Sequence, residues 1–126
     1  MKRLLDSNIL IYAVRPEFAE LRRWLAGPAS VSAISIVEVL GYAGLTDEDA
    51  AAFEAWFAML DLRQVTETIL RRAAALRRVR RMKLGDSIIA ATALETGAKL
   101  VTRNVDDFRH IAGLEITNPF ASPGES

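Results

Sequence analysis

The 126-residue sequence predicts an α/β fold of three layers, with a short parallel central sheet and helices on both of its faces. Short apolar runs that are typical of buried strands alternate along the chain with longer segments whose apolar residues recur at helical spacing. The hydrophobic share of 51% and the charged share of 25% are those of a globular protein. We therefore expect a single domain at residues 1–120 and a short tail at residues 121–126.

Cap and turn residues divide the first half of the chain into elements. The first strand ends at Asp6, and Ser7 or Asn8 can cap the helix that follows it. Pro16 marks the start of the next helix, which Gly27-Pro28 stops. The predicted elements are, in order, a strand at Arg3–Leu5, a short helix at Ile9–Val14, an amphipathic helix at Glu17–Ala26, a strand at Ser30–Ser32 and an apolar helix at Ile34–Gly44.

The second half is divided in the same way. Thr46 with Asp49 three positions later resembles a capping box, and Thr66 can cap a basic helix. Asp86 begins an apolar helix that Gly97 closes. The predicted elements are a helix carrying Phe53, Trp56, Phe57 and Leu60, a strand at Asp61–Val65, a basic helix with Ile69, Ala73, Leu76 and Val79 as its apolar stripe, a helix at Ser87–Thr96, a strand at Lys99–Thr102, a short helix at Asn104–His110 and a strand at Leu114–Thr117.

The composition excludes several kinds of site. The chain has no cysteine, which excludes disulfides, thiol nucleophiles and thiolate zinc sites. Its one histidine, His110, argues against histidine-rich metal sites and a Ser-His-Asp triad. The apolar run at Leu4 and Leu5 is too short for a signal peptide, and no stretch approaches the ~20 apolar residues of a membrane span. We expect a soluble, cytoplasmic protein whose chemistry depends on carboxylates, hydroxyls, amides and basic side chains.

A net charge of zero hides one strongly basic segment. Residues 63–83 carry eight lysines and arginines against Glu67 alone, whereas acidic residues predominate on either side. Such a segment can contact the phosphate backbone of a nucleic acid or an acidic segment of a partner, or it can be a solvated helix face. Arg63 opens the segment, and the basic run that follows consists of Arg71, Arg72, Arg77, Arg78, Arg80, Arg81 and Lys83.

Three acidic residues stand out because their neighbours are apolar. Asp6 ends the first strand, and ligands of open α/β sheets bind beyond the carboxyl ends of the strands. Glu38 lies within the apolar segment Ile34–Leu40, where a buried charge without a partner is costly. Asp86 opens a helix whose later positions are almost wholly apolar. Each acid also has a purely structural interpretation: an Asx-turn, an outward-facing position and a helix cap, respectively.

We expect these three carboxylates to converge in one acidic pocket at the carboxyl edge of the sheet. Three carboxylates without a cation repel and raise one another's pKa values. A hard divalent cation removes that conflict, since Mg²⁺ and Mn²⁺ prefer oxygen ligands. The pattern therefore favours a site for one of these two ions.

A fourth polar cluster follows the predicted strand that ends at Thr102. It supplies a hydroxyl, a guanidinium, an amide and two acids within a few residues. With this cluster, the sequence resembles the PIN-domain ribonucleases, in particular the VapC-type toxins of prokaryotic toxin–antitoxin pairs, over essentially the whole chain. The matching motifs are Asp6-Ser7-Asn8, Ser35-Ile36-Val37-Glu38-Val39, Asp86-Ser87-Ile88-Ile89-Ala90-Ala91-Thr92-Ala93, Thr102-Arg103-Asn104 with Asp107-Phe108, and Asn118-Pro119-Phe120.

The resemblance implies a PIN-like fold and a role for each of the three acids. Asp6, Glu38 and Asp86 match the family's acidic triad around Mg²⁺ or Mn²⁺. The implied activity is metal-assisted hydrolysis of RNA phosphodiesters, in which the cation activates water and neutralises charge on the phosphorus centre. The implied protein is an endoribonuclease toxin that works as a homodimer and has an antitoxin protein as its partner.

One position departs from the family pattern. Many members carry a fourth acid where this chain has Asn104, so Asn104, Asp106 or Asp107 is expected to complete the metal site. Asp107 has two further interpretations, as a cap of the short helix or as a partner of Arg103. The resemblance also implies that four residues support the site or the substrate: Asn8, Thr102, Arg103 and Asp107.

Two other classes of function remain open from the sequence. A PIN-like RNA- or protein-binding module with weak or no catalysis is favoured if Asn104 weakens metal binding. A phosphoreceiver or haloacid-dehalogenase domain also places an aspartate after the first strand. The dehalogenase type needs a second acid at the position of Asn8, and a receiver needs adjacent acids there, so both fit poorly.

Overall fold

The computed structural model describes residues 2–120 and contains one parallel sheet of five strands. The order of the strands is β3-β2-β1-β4-β5, and each neighbouring pair runs parallel. The predicted fold class is therefore confirmed, while the predicted tail at residues 121–126 lies outside the described residues. The strands are β1 (Arg3–Leu5), β2 (Ala29–Ser32), β3 (Asp61–Arg63), β4 (Lys99–Val101) and β5 (Ile116–Thr117).

The helices begin and end at residues that suit those positions. Thr46 Oγ1 accepts the amide of Asp49 at 3.1 Å, and Thr66 Oγ1 accepts that of Ile69 at 3.2 Å, as the sequence predicts. Gly97 closes the last long helix in the left-handed conformation, with φ of 66°. The helices are α1 (Ser7–Ala13), α2 (Ile34–Leu40), α3 (Asp47–Met59), α4 (Glu67–Val79) and α5 (Leu84–Thr96), with 3₁₀ helices at Pro16–Leu25 and Val105–Asp107.

The sheet separates two apolar cores, because successive side chains of a strand point to opposite faces. Leu5 and Val101 belong to one core, which α1, α3 and the Pro16–Leu25 helix complete. Leu4 and Leu100 belong to the other, which α5 covers. The aromatic residues predicted for the core lie in the first of these: Phe53 is fully buried, and Trp24, Trp56 and Phe57 pack against it.

The segment predicted as an amphipathic helix at Glu17–Ala26 is a 3₁₀ helix over Pro16–Leu25. Its apolar residues Phe18, Leu21 and Trp24 lie three positions apart, which is the period of a 3₁₀ helix rather than that of an α-helix. Arg22 ties the segment to the end of α1 by donating to the carbonyl oxygens of Ala13 and Val14 at 2.7 and 3.1 Å.

Other predicted boundaries shift by a few residues. The α2 helix ends at Leu40 instead of Gly44, because two glycines follow and Gly44 adopts φ of 88°. The α5 helix begins at Leu84, two residues before Asp86. The apolar stripe of α4 stops short of Val79, which is 83% exposed.

The remaining corrections are at the ends of other elements. The α3 helix ends at Met59, before Leu60, and α1 begins at Ser7 with Asp6 as its cap position. Strands β3 and β5 are shorter than predicted, and a 3₁₀ turn replaces the helix at Asn104–His110.

The central position of β1 determines where polar residues meet. The chain passes from β1 to β2 and β3 on one side of the sheet, whereas β4 and β5 lie on the other. In such sheets ligands bind at the carboxyl ends of the strands, where the strand order reverses. Leu5 pairs with Val101 in register, so Asp6 and Thr102, which follow them, meet at that point. Within residues 2–120, no helix has both the length and the apolar character needed to cross a membrane.

Candidate active site

The first acid is fixed by the register of the sheet. Asp6 is only 3% exposed, and its Oδ2 accepts a hydrogen bond of 2.8 Å from Thr102 Oγ1. Thr102 in turn accepts the amide of Asn104 at 3.0 Å, which orients its hydroxyl. Burial raises the pKa of Asp6 above its ordinary value of 3.8, the Thr102 hydrogen bond opposes the rise, and the charge of Glu38 adds to it.

The second acid is held by two buried serines. Ser7 Oγ donates to Glu38 Oε1 at 2.6 Å, and Ser35 Oγ lies 2.7 Å from Ser7 Oγ. A serine hydroxyl has one proton, so Ser7 donates to the carboxylate and Ser35 donates to Ser7. This chain of hydrogen bonds joins the start of α1 to α2 and fixes Glu38 beside Asp6. Glu38 therefore faces inward, and its interpretation as an outward-facing residue is wrong.

The third acid lies in the first turn of α5. The cap position of that helix is Lys83, not Asp86, and no side chain makes a capping hydrogen bond there. Burial raises the pKa of Asp86 from 3.8 to about 6. The charges of Asp6, Asp107 and Glu38 add to this rise, whereas Lys83 opposes it. The cap interpretation of Asp86 therefore fails, and its carboxylate belongs to a cluster of like charges.

The carboxylate oxygens of these residues suit a hard divalent cation, although the three carboxylates do not stand at the spacing of ligands around one ion. Within the part of the chain that the structure describes, no three acidic or histidine side chains stand at the spacing of ligands around one ion. Asp6 is tied to Thr102 and Glu38 to Ser7, and carboxylates that face one another without a cation stay apart. Within residues 2–120, Asp6 and Glu38 are each held by a hydroxyl, whereas Asp86 makes no side-chain hydrogen bond, so Asp86 would move most on binding a cation.

Three residues were candidates for the fourth position, and they lie in different surroundings. Asp107 raises the pKa of Asp86 and lines the same cleft. Asp106 instead pairs with Arg109 at 2.6 Å on the surface. Asn104 is exposed and lines a neighbouring cleft on the other side of Asp107. Asp107 is thus the candidate nearest to the triad, and within residues 2–120 it forms no ion pair with Arg103.

A basic cleft of about 410 Å³ leads to the acids. The loop between α4 and α5 forms its wall, and Arg77 Nε shapes that loop by donating to the carbonyl oxygen of Met82 at 3.2 Å. None of the cleft's arginines forms an ion pair with another residue of the described chain, whereas Arg71 and Arg72 on the same helix pair with Glu67 and Glu95. The lining residues are Arg77, Arg80, Arg81, Met82, Lys83, Asp86 and Asp107.

A second cleft of similar volume lies beyond Asp107. Arg103 lines it, and its guanidinium carbon lies 4.3 Å from the centre of the Phe120 ring and 5.2 Å from that of Tyr12. These cation–π contacts with two rings restrict the guanidinium while leaving its N–H groups available. Asn118 Oδ1 accepts the amide of Phe120 at 2.9 Å and so holds this ring in place.

Two serines within the sequence motifs support Glu38, a role that the sequence did not predict for them. Asn8, expected to support the site, has an exposed side chain, although its backbone amide and that of Ser7 lower the pKa of Asp6. The hydroxyl of Thr102 holds Asp6 as expected, and the hydroxyls of Ser7 and Ser35 support Glu38. A signal existed for one of them: Ser35 lies three residues before Glu38, which places both on one face of a helix.

For the metal-assisted RNA hydrolysis that the sequence resemblance implies, we expect Ser7→Ala to lower the rate by about tenfold, because a residue that supports a metal ligand typically contributes at least that much. Removing this hydroxyl also leaves the Ser35 hydroxyl without its acceptor and destabilises the fold by about 1–2 kcal/mol. The matched control is Ser30→Ala, which removes another buried serine whose Oγ donates to the carbonyl oxygen of Arg3 at 2.8 Å, away from the acids. Equal activity losses in the two variants, measured by RNA cleavage and thermal unfolding, would contradict this role.

The strand order of the parallel sheet, and the acids at the point where that order reverses, place this protein among the α/β proteins with a carboxylate site. The family model described as the PIN domain matches residues 3–114, and the chain belongs to this family. It is 36% identical to Ribonuclease VapC10 of Mycobacterium tuberculosis over 131 residues, which cover 96% of this chain and 95% of that protein. It is 33% identical to Ribonuclease VapC19 of the same species over 114 residues, which cover 84% and 91%.

Solved structures share the architecture. A toxin–antitoxin complex from Klebsiella pneumoniae contains a chain that aligns with a TM-score of 0.78 and 30% identity, covering 96% of this chain and 100% of that one. A chain of the DNA-bound VapBC from Salmonella typhimurium aligns with a TM-score of 0.77 and 22% identity, covering 93% and 97%, and has the same fold.

Proposed function

We propose that this protein is a divalent-metal-dependent endoribonuclease and the toxin of a toxin–antitoxin pair. One observation supports the proposal: a buried acid, a hydroxyl-held acid and an acid with a raised pKa lie at the same edge of the sheet, beside a basic cleft. Carboxylates are ligands that Mg²⁺ and Mn²⁺ prefer, and the arginines and lysine attract a polyanion. The similarity to two proteins named ribonuclease supports RNA as the substrate.

The residues of the chain divide the work of phosphodiester hydrolysis. Asp6, Glu38 and Asp86 would hold Mg²⁺ or Mn²⁺, with Asp107 as the fourth acid. The bound ion supplies an activated water and offsets the charge that develops on the phosphorus centre. Thr102 and Ser7 keep two of the carboxylates in fixed orientations by hydrogen bonds. No histidine is needed in this scheme, because the acids provide both the charge and the proton acceptors.

The two clefts suggest the path of the RNA strand. Asp107 lines both clefts, so a strand that crosses the acids has the basic cleft on one side and Arg103 on the other. Phosphates on the first side would meet Arg77, Arg80 and Arg81. A phosphate on the second side would meet the guanidinium of Arg103, which Phe120 restricts and which can contact phosphate in a bidentate manner.

The cleft assignment predicts that Arg81→Ala raises KM for RNA roughly three- to tenfold and leaves kcat nearly unchanged, since one exposed hydrogen bond contributes about 0.5–1.5 kcal/mol. The dependence of binding on salt should also weaken, because one phosphate contact fewer releases fewer counterions. Arg71→Ala is the matched control: this arginine lies on α4 and pairs with Glu67 outside the cleft. Comparable KM changes in both variants would contradict the assignment.

RNA cleavage in Mn²⁺ that chelation abolishes tests the proposed activity directly. The expected result is cleavage by the wild type that returns when Mn²⁺ is added back. The alternative is a PIN-like RNA- or protein-binding module without catalysis, and it is favoured by the observation that no three acids of the described residues stand at the spacing of ligands around one ion. It predicts RNA or protein binding that neither needs metal nor leads to cleavage, and that result would overturn the enzymatic proposal.

The proposed partners are an antitoxin protein and a second copy of the chain, in the cytoplasm. The solved toxin–antitoxin complexes with the same fold support an antitoxin partner. For the homodimer, we expect light scattering at high micromolar concentration to give about twice the 13.9 kDa of the single chain. A particle of 13.9 kDa at all concentrations, with and without metal, would contradict the dimer.

A further inference from the structure

The first turn of α5 carries a glycine at the point where Glu38 approaches it. A Cβ atom added to Gly85 would overlap Glu38 Oε2 and would lie only 3.1 Å from Glu38 Cδ. The other oxygen of this carboxylate, Oε1, accepts the hydrogen bond from Ser7. The Ser7 hydroxyl at the start of α1 therefore holds one oxygen of Glu38, and the other oxygen lies against the backbone of α5.

The conformation of the backbone does not explain this glycine. Gly85 has no positive φ, in contrast to Gly97 at the other end of the same helix. At a helical position alanine is more favourable than glycine, because glycine loses more conformational freedom on folding. The reason for a missing side chain at this position is thus the space that Glu38 occupies.

We propose that Gly85 is a positioning residue of the active site, an inference that rests on the proposed function. Without a side chain at position 85, the Glu38 carboxylate fits against α5 next to Asp86. A methyl group there forces the carboxylate away from the helix, and the carboxylate then loses the Ser7 hydrogen bond or its place beside Asp86. Gly85 acts through Glu38 alone and touches neither substrate nor metal.

The variant Gly85→Ala tests the proposal. We expect its affinity for Mn²⁺, measured by calorimetry, and its kcat for RNA to fall by about 10–100-fold, with KM for RNA unchanged. We expect its melting temperature to change little, because the preference of alanine for the helix offsets the loss of one hydrogen bond. The matched control is the same substitution in a Glu38→Ala background, where we expect no further loss. Equal fold-losses in the two backgrounds would overturn the proposal.

A second readout does not depend on activity or on metal. The backbone amide signals of Ser7 and Ser35 in nuclear magnetic resonance spectra report on the hydrogen bonds that hold Glu38. We expect Gly85→Ala to shift both signals, and to leave them in place when Glu38 is alanine. If the wild type neither binds Mn²⁺ nor cleaves RNA, the proposed function fails, while these shifts still decide whether Gly85 positions Glu38. Unshifted signals would overturn the positioning role even in an active enzyme.

Discussion

The Asp86→Asn variant is expected to lose RNA cleavage by at least about 100-fold while it stays folded. Asp86 is one of the few carboxylates available for the cation, and groups that stabilise charge in a transition state commonly contribute this much to kcat. The amide has nearly the same shape, so the first turn of α5 should keep its structure. Single-turnover cleavage in saturating Mn²⁺ measures the loss, and circular dichroism verifies the fold.

The same substitution should stabilise the protein at neutral pH in the absence of metal. The pKa of Asp86 is about 6 in the folded protein, against the ordinary value of 3.8 for an aspartate in the unfolded chain. The folded state therefore holds the proton more tightly, and the free energy of unfolding falls as pH rises from about 4 to about 6. Asparagine does not titrate and so removes this loss of stability. We expect a gain of roughly 1–2 kcal/mol, because solvent screens a partly exposed charge and because asparagine also loses the favourable interaction of the carboxylate with the helix dipole.

Denaturant unfolding at pH 4 and pH 7 tests this pH dependence. The gain in stability of Asp86→Asn should be present at pH 7 and nearly absent at pH 4. Asp106→Asn is the matched control, because Asp106 is exposed and paired with Arg109 on the same side of the sheet. Cleavage by Asp86→Asn at a rate near that of the wild type would show that Asp86 is not part of the metal site.

Asp107→Asn is expected to weaken Mn²⁺ binding by at least about tenfold, since a carboxylate beside Asp86 becomes a neutral amide. A tenfold change corresponds to about 1.4 kcal/mol, which titration calorimetry resolves. Asn104→Asp adds a charge in the neighbouring cleft instead, and we expect it to raise the affinity for Mn²⁺ by less than about tenfold. The two variants together identify the residue that completes the site.

Two results would reverse this assignment. A gain of tenfold or more in Asn104→Asp, without a loss in Asp107→Asn, would make position 104 the fourth ligand site, as the family pattern implies. Unchanged affinity in both variants would mean that the three acids bind the ion without a fourth residue of this segment.

The positions of Asp6 and Thr102 follow from sequence with little ambiguity. A short apolar run that is buried on both faces must be a central strand, and its first polar residue must appear at the carboxyl edge. The register that brings Thr102 onto Asp6 requires only that β1 and β4 are neighbours in the sheet. Local patterns of strand and cap residues therefore suffice for this half of the candidate site.

The environment of Glu38 does not follow from local patterns. It depends on how α2 packs against α1 and α5, and this packing creates the contacts with Ser7 and Gly85. The raised pKa of Asp86 likewise arises from acids that are distant in sequence. The 3₁₀ helix at Pro16–Leu25 was missed for a different reason, since a spacing of three residues also satisfies a loose helical pattern.

The hydrogen bond between Thr102 and Asp6 joins residues that are 96 positions apart, and β1 lies in the middle of the sheet. During synthesis, β2 follows soon after β1, whereas β4 follows only after α4 and α5. Pairing between strands so distant in sequence is intrinsically slow. A chain synthesised only as far as α5 thus carries Asp6 without Thr102, and the pocket is completed only after β4 has joined the sheet.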